Sequence, residues 1–135
     1  MPGTQNKVLD SYAVLALLNE EAGADEVADL LTAAMERGRP VYINEINVGE
    51  VFYVVAKHRS PAEAERVLDH LRALPLEFVS NAWPDVMDAA RIKAAHPLSY
   101  ADAFAAATAR RLDAVLVTGD PEFRSLSGSV KIHWL

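Results

Sequence analysis

The sequence contains no cysteine. This absence excludes disulfide bonds, a thiolate nucleophile and cysteine-based zinc or iron–sulfur sites, and it is compatible with a reducing compartment. A long apolar run is also missing, because charged residues interrupt every apolar stretch well before the roughly 20 residues that a membrane-spanning helix needs. The first residues lack the apolar core of a signal peptide. We therefore expect a cytoplasmic protein with no membrane segment.

An excess of positive charge is missing as well. The chain has 13 basic and 19 acidic residues and a net charge of −6 at pH 7. A negative overall field does not attract nucleic acid, which counts against an RNA or DNA partner. That argument weakens if several acids bind divalent metal ions, because bound cations make the local charge much less negative.

The arrangement of apolar residues predicts an α/β fold. The 135 residues are 51% hydrophobic, which is enough for one core, and no repeat or linker divides them, so we expect a single domain over residues 1–135. Strand-like runs alternate with helical periodicity, which predicts a central, mostly parallel sheet with helices on both faces. The predicted strands are residues 8–10, 41–43, 76–79, 114–117 and 130–135, and the predicted helices are residues 11–23, 25–37, 44–59, 61 onward, 84–95 and 100–112.

Four carboxylates lie in or beside apolar segments. Ligands of parallel α/β sheets gather at the carboxyl ends of the strands. Asp10 ends the first predicted strand and Asp120 follows the fourth, so these two acids are expected to meet. Several anions can be buried together only if a cation joins them. The sequence therefore predicts one shared acidic pocket, formed by Asp10, Glu50, Asp102 and Asp120.

Helix capping is the alternative explanation for three of the acids. Asp10 and Asp120 each precede a predicted helical turn, where Asp is a favoured N-cap, and Ser99 and Asp102 have the spacing of a capping box. Glu50 is different, because it lies in the middle of a helix among apolar residues, with no Lys or Arg three or four positions later. An acid in such surroundings is rarely left unpaired, so a bound metal ion is the most economical partner.

The four acidic segments resemble those of PIN-domain ribonucleases and, within that family, VapC-type toxins of bacterial toxin–antitoxin pairs. The matching segments are VLDSYAVLALL, NVGEVFYVVAKH, YADAFAAATA and VLVTGDPEF. Tyr12 and Phe104 depart from the residues that are usual in the family, but neither change removes a carboxylate. The resemblance covers essentially the whole chain and implies a PIN-like three-layer sandwich with the activity of a metal-dependent endoribonuclease.

The implied activity suits the chemistry of the acids. Mg²⁺ and Mn²⁺ prefer oxygen ligands and are held by a few carboxylates and water. The resemblance implies one or two such ions, an activated water as nucleophile and no side-chain nucleophile. Asp10 and Asp102 are the first candidates for direct metal ligands. Glu50 is expected to act through metal-bound water or at a second ion, and Asp120 is expected to complete the pocket.

Other polar residues are candidates for supporting roles. Ser11 and Thr118 are expected to donate hydrogen bonds that orient carboxylates, although both also suit turns or caps. Asn44 and Asn47 precede Glu50 and either line the cleft or cap its helix.

Three basic side chains are candidates for phosphate contacts, and two tryptophans are candidates for base stacking. A solvated helix face is the commoner explanation for the cations, and packing or a dimer contact explains the tryptophans equally well. These residues are Arg91, Lys93, Arg124, Trp83 and Trp134.

The resemblance also implies partners. These are an RNA substrate, a second copy of the chain in a homodimer, and a VapB-type antitoxin whose C-terminal segment covers the acidic cleft. An apolar helix of the antitoxin would need a groove between the early helices, and an arginine or lysine would reach the carboxylates. The groove is expected to include Leu15, Leu18, Leu30, Leu31 and Met35.

Two alternatives remain. A receiver-like signalling domain needs an acceptor Asp at the end of the middle strand, and residues 76–79, taken as that strand, are followed by none. A stand-alone PIN-fold RNA-processing nuclease has the same site chemistry, and only genetic context would separate it from a toxin.

Overall fold

A computed structural model describes residues 5–135 and contains one five-stranded sheet in the order β3-β2-β1-β4-β5. Every described strand pairing is parallel, so the prediction of a mostly parallel sheet is confirmed. The strands are β1 Lys7–Leu9, β2 Val41–Asn44, β3 Leu76–Val79, β4 Val115–Thr118 and β5 Ile132–Trp134. Residues 1–4, on which part of the signal-peptide argument depends, lie outside the described residues.

Helices connect the strands. They are α1 Ser11–Leu18, α2 Ala24–Arg37, α3 Glu45–His58, α4 Pro61–Ala73, α5 Trp83–Ala95 and α6 Tyr100–Arg111, followed by a 3₁₀ helix at Pro121–Leu126. Helix α1 was predicted to reach residue 23 but ends at Leu18, because Glu20 adopts a left-handed backbone conformation with φ of 53° that a helix cannot continue through. The 3₁₀ helix was not predicted. Among the described helices, none has the length and apolar character to cross a membrane.

Two hydrophobic cores lie on opposite faces of the sheet. Successive strand residues point to opposite faces, so Leu9 and Val117 pack with helices α1 to α4, whereas Val8 and Leu116 pack with α5, α6 and the 3₁₀ helix. The predicted three-layer sandwich with helices on both faces is therefore confirmed.

The strand order corrects the argument against a receiver-like domain. Residues 76–79 form β3, which is an edge strand, and the middle strand is β1, which Asp10 follows directly. The lack of an acid after β3 therefore does not count against a receiver-like domain. Strand order excludes that architecture instead, because the flavodoxin-like order is 2-1-3-4-5 and this sheet has 3-2-1-4-5.

A buried polar network holds α6 against the ends of β2 and β3. Asn44 exchanges two hydrogen bonds with Asn81, at 2.7 and 3.0 Å, and donates a third to the Thr108 hydroxyl at 2.8 Å. Its side-chain oxygen also accepts from the Ile46 N–H and so caps α3. The same residue therefore fixes both helices that present acids to the carboxyl edge of the sheet.

Candidate active site

Asp10 lies at the carboxyl end of the middle strand and is 1% exposed. One oxygen, Oδ1, accepts a hydrogen bond from the Ala13 N–H at 2.9 Å and caps α1. The other, Oδ2, accepts from the Thr118 hydroxyl at 2.5 Å. Capping and membership of the acidic pocket were alternatives in the sequence. The structure shows the cap, and it also places the second oxygen beside the segment of Asp120, through Thr118.

Thr118 connects two acids that are far apart in the sequence. Its fully buried hydroxyl donates to Asp10 Oδ2 and accepts from the Asp120 N–H at 3.0 Å. Orientation of a carboxylate and stabilisation of the turn were alternative explanations for this threonine. One hydroxyl does both, and it brings the segment of Asp120 to the end of β1.

Asp120 also belongs to a cluster of three acids. Donor oxygens of Asp102, Asp120 and Glu122 all lie within 4.8 Å of one another. Asp102 is in the first turn of α6, where the helix dipole favours an anion. Ser99 caps that helix by accepting from the Asp102 N–H at 3.1 Å. Asp120 caps the 3₁₀ helix through the Glu122 N–H at 2.9 Å.

Glu122 is the acid that sequence reasoning missed. It is exposed, and it joins the cluster because the 3₁₀ helix turns the chain back immediately after Asp120. A six-residue helix has too few turns to produce a recognisable periodicity. The available signal was a second acid two residues after Asp120, next to a proline that favours the first turn of a helix.

The surroundings of the Glu50 side chain differ from those expected. Its side chain is half-buried rather than enclosed, and Oε1 accepts a hydrogen bond from the Ser11 hydroxyl. The expected apolar enclosure is therefore corrected, and a hydroxyl group is one partner of this acid, while its contact with a metal ion stays a prediction. Ser11 follows Asp10 directly, so the bond holds α3 beside the end of β1.

Two of the acids have strongly raised pKa values. Burial raises the pKa of Asp10 to about 7. Hydrogen bonds from Thr118 and the Ala13 N–H act to lower this pKa, and the charges of Asp102 and Asp120 act to raise it. Burial likewise raises the pKa of Asp102 to about 7, and the charges of Asp120, Glu50 and Glu122 add to it. All five carboxylates are therefore coupled electrostatically, and a cation among them would relieve their repulsion.

Asn47 supplies a further polar atom to this region. It does not cap α3, since Asn44 does, and its side chain is fully buried. Its Nδ2 donates to the carbonyl oxygen of Ala101, next to Asp102, at 3.1 Å. Its Oδ1 has no hydrogen-bond partner within residues 5–135. The unpartnered amide oxygen and the carboxylate oxygens are all oxygen ligands, which a hard cation such as Mg²⁺ or Mn²⁺ prefers.

Gly119, between Thr118 and Asp120, is in close contact with an aromatic ring. A Cβ atom at this position would lie 2.8 Å from Cζ of Tyr12, closer than unbonded carbon atoms can approach. A side chain at this position would therefore displace the Tyr12 ring, which is unusual for the resemblance and packs against the segment that carries Asp120.

An apolar depression of about 460 Å³ lies between α1, α2 and α4. Leu18, Leu31 and Met35 line it, as expected for the proposed groove. Leu15 and Leu30 were expected there too, but they do not line it and instead pack against the α1–α4 core. The groove therefore exists with fewer of the predicted residues.

Comparison with solved structures gives several similar folds. VapBC2 from Rickettsia felis, bound to a promoter DNA fragment, has a TM-score of 0.73 and 17% identity, over 94% of this chain and 96% of that chain. DNA-bound VapBC from Salmonella typhimurium has 0.71 and 20%, over 96% and 98%. VapBC-5 from Mycobacterium tuberculosis has 0.62 and 18%, over 97% and 98%.

The comparison with protein families is more direct. No curated protein matches the sequence. The PIN domain model matches residues 7–128. This range includes strands β1 to β4 and all five acids of the candidate site. PIN domains are nucleases that use divalent metals. The chain therefore belongs to the PIN domain family.

Proposed function

We propose that the protein is a metal-dependent endoribonuclease that cleaves RNA phosphodiester bonds, and that it is the VapC-type toxin of a type II toxin–antitoxin pair. The observation that carries the proposal is the convergence of acids from three separate segments. Asp10 and Asp120 share the Thr118 hydroxyl, and oxygens of Asp102, Asp120 and Glu122 lie within 4.8 Å of one another. Membership of a nuclease family supports it.

The acids have different tasks in this proposal. Asp10, Asp102 and Asp120 hold Mg²⁺ or Mn²⁺, with Glu122 at the exposed side of the site and Glu50 acting through water. An ion held by these residues would supply Lewis-acid stabilisation of the phosphate and would lower the pKa of a water.

The chain's own residues prepare the site. Two hydrogen bonds fix the Asp10 carboxylate, and the Ser11 hydroxyl orients Glu50. Glu50 and Asp120 are half-buried, so the RNA phosphate approaches from their side. Within residues 5–135 Glu50 has no basic partner, and Ser11 bonds only its Oε1, so its Oε2 is available to accept a proton from an attacking water.

The direct test is cleavage of single-stranded RNA by the purified protein. Cleavage should disappear in EDTA and return with Mg²⁺ or Mn²⁺, without a requirement for zinc, because the donors are all oxygens. Asp102→Asn should abolish it. The matched control is Asp113→Asn, which alters an acid with a 90% exposed side chain paired with Lys131. Full activity in the chelator would disprove the metal-dependent mechanism.

We propose an antitoxin of the VapB type as the protein partner. The solved relatives are VapBC complexes, and the depression between α1, α2 and α4 has the apolar lining that an amphipathic helix needs. An arginine in the following segment would reach the acidic site and compete with metal, since a guanidinium binds two carboxylate oxygens.

Co-expression with the protein encoded by the adjacent upstream gene tests the partner. A tight complex without nuclease activity is expected. Met35→Glu, which places a charge at a 65% exposed residue of the groove, should weaken the complex but leave the activity of the free protein intact. A nuclease that forms no such complex would be a stand-alone RNA-processing enzyme.

Homodimerisation and a cytoplasmic location complete the proposal. Ile46 and Tyr53 are exposed apolar residues seven positions apart in α3, which places them on one side of that helix. Tyr53→Glu should therefore convert a dimer to a monomer in light scattering after gel filtration. A wild-type protein that is monomeric at micromolar concentration would contradict the dimer.

A further inference from the structure

A second depression, of about 480 Å³, lies where β4 and β5 end. Its lining residues are Gly119, Pro121, Arg124, Ser127, Trp134 and Leu135. Gly119 and Pro121 flank Asp120, so the depression begins at the acidic site and extends away from it. The volume is in the range of small-ligand sites.

Trp134 is positioned beside the residue that links the acids. It is the register partner of Thr118 in the parallel β4–β5 pair. Leu116 and Ile132, two residues earlier on each strand, both belong to the α5–α6 core. Since side chains alternate along a strand, Thr118 and Trp134 face that same side, on strands about 4.8 Å apart. The Trp134 side chain is 42% exposed, so the core does not enclose its ring.

Arg124 provides positive charge at the same depression. It lies in the 3₁₀ helix that Asp120 caps, it is exposed, and its guanidinium has no ion pair or hydrogen bond to residues 5–135. This is notable next to Asp120 and Glu122, in a chain with a net charge of −6. A guanidinium presents a planar set of donors that matches two oxygens of a phosphate.

We propose that this depression binds one nucleotide of the single-stranded RNA next to the bond that is cut. Trp134 stacks on the base, and Arg124 binds a phosphate of the strand. Stacking on an aromatic ring tolerates any base, and single-stranded binding sites combine it with a cation along the backbone. This inference rests on the proposed RNA cleavage, because it assigns the substrate strand a path that leaves the acids over Gly119.

Tryptophan fluorescence tests the binding directly. The chain has two tryptophans, so Trp83→Phe leaves Trp134 as the only one, and Asp102→Asn in the same protein prevents cleavage. A short single-stranded oligoribonucleotide should quench this fluorescence to saturation. With Trp134→Phe in place of Trp83→Phe, Trp83 should report no quenching. Absence of quenching from Trp134 at RNA concentrations that saturate binding would overturn the stacking assignment.

Charge and kinetics provide the second measurement. Arg124→Gln should weaken RNA binding and reduce the slope of log affinity against log salt by about one. The control is Arg66→Gln on α4, whose guanidinium pairs with Glu63 at 2.9 Å on another part of the surface. An equal loss of affinity in both arginine variants would show a general charge effect and would contradict the assigned phosphate site.

Trp134→Leu should raise KM about fivefold or more, which corresponds to the lower end of stacking energies, with a larger change in KM than in kcat. Trp134→Phe should restore most of the affinity, whereas Trp83→Leu should have no effect. Unchanged KM in Trp134→Leu overturns the inference. If Trp134→Leu does not fold, the quenching and Arg124 measurements decide. A wild-type protein that cuts no RNA would refute the proposed function. Quenching of Trp134 fluorescence by RNA would still test the nucleotide site independently.

Discussion

At Thr118, the position of one oxygen atom determines how two carboxylate segments meet. Thr118→Val keeps the shape of the side chain but removes the hydroxyl, so Asp10 Oδ2 and the Asp120 N–H lose their partner. We expect unfolding free energy to fall by about 1–3 kcal/mol and RNA cleavage to fall by about tenfold or more. Urea unfolding and a cleavage assay measure the two effects. Thr118→Ser should recover both, and a valine variant with wild-type stability and activity would contradict this account.

The raised pKa values of Asp10 and Asp102 predict an inverted pH dependence of stability. Both pKa values rise from 3.8 to about 7, so the folded state binds more protons than the unfolded state between about pH 4 and pH 7. Unfolding free energy of the metal-free protein should therefore decrease as pH rises through this window. The pKa values of Glu63 and Asp85 are lowered by arginine partners, and their contribution is lost only at lower pH.

Urea unfolding in EDTA at a series of pH values measures this effect. Asp10→Asn should flatten the curve, because one of the two groups no longer titrates. Affinity for Mn²⁺ should increase with pH over the same window, since the ion competes with protons for the carboxylates. A wild-type protein whose stability rises from pH 4.5 to pH 7 in EDTA would contradict the raised values.

At the scale of elements, Asn44 is predicted to matter more than an ordinary helix cap. Asn44→Ala removes the cap of α3, leaves the Asn81 amide without its partner and removes the hydrogen bond that the Thr108 hydroxyl accepts. We expect a loss of about 2–4 kcal/mol of unfolding free energy, as the sum of a cap and a buried hydrogen-bond network. Ser60→Ala is the matched control, because Ser60 caps α4 through one bond to the Glu63 N–H and should cost about 1 kcal/mol. Equal losses would refute the importance of the network.

The sequence predicts the elements better than their arrangement. Helix α2 has enough turns for a clear apolar face, and its end at Gly38, in a left-handed conformation, follows from glycine's conformational freedom. The middle strand was misidentified, because pairing between parallel strands depends on contacts between distant segments. Glu122 was missed for a related reason, since its position depends on a short 3₁₀ helix rather than on a periodic pattern.

Site residues show the same limit. Apolar surroundings marked Asp10 and Asp102, and both are buried. The same reasoning expected apolar enclosure for Glu50, whereas this acid is half-buried and accepts a hydrogen bond from Ser11 on another helix. A partner 39 positions away cannot be read from a local sequence pattern. The metal-binding and catalytic roles of these residues stay predictions, as does the single domain over residues 1–135.

For the whole molecule, metal is predicted to act as a stabilising ligand. Without a cation, the carboxylates around Asp102 repel one another, and an ion that binds only the folded state stabilises it by mass action, by about 2.7 kcal/mol at a concentration 100 times Kd. Millimolar Mn²⁺ or Mg²⁺ should therefore raise Tm at pH 8. Asp102→Asn should show a smaller increase, and Asp113→Asn the same increase as wild type. An unchanged Tm in the wild-type protein would contradict convergence of the acids on one ion.

The position of β1 in the middle of the sheet has a consequence for synthesis. Residues Lys7 to Leu9 pair with Val115 to Val117, and the bond between Asp10 and Thr118 spans 108 positions. Ribosomes add about 5–20 residues per second, so the first acid waits several seconds for the strand that completes its surroundings. Until β4 leaves the ribosome, one of the two hydrogen-bonding edges of β1 is unpaired, and Asp120 is not yet in its position beside Asp10. A nascent chain that stops before β4 therefore has no assembled acidic site, and the candidate site forms only after residues 115–122 have been synthesised.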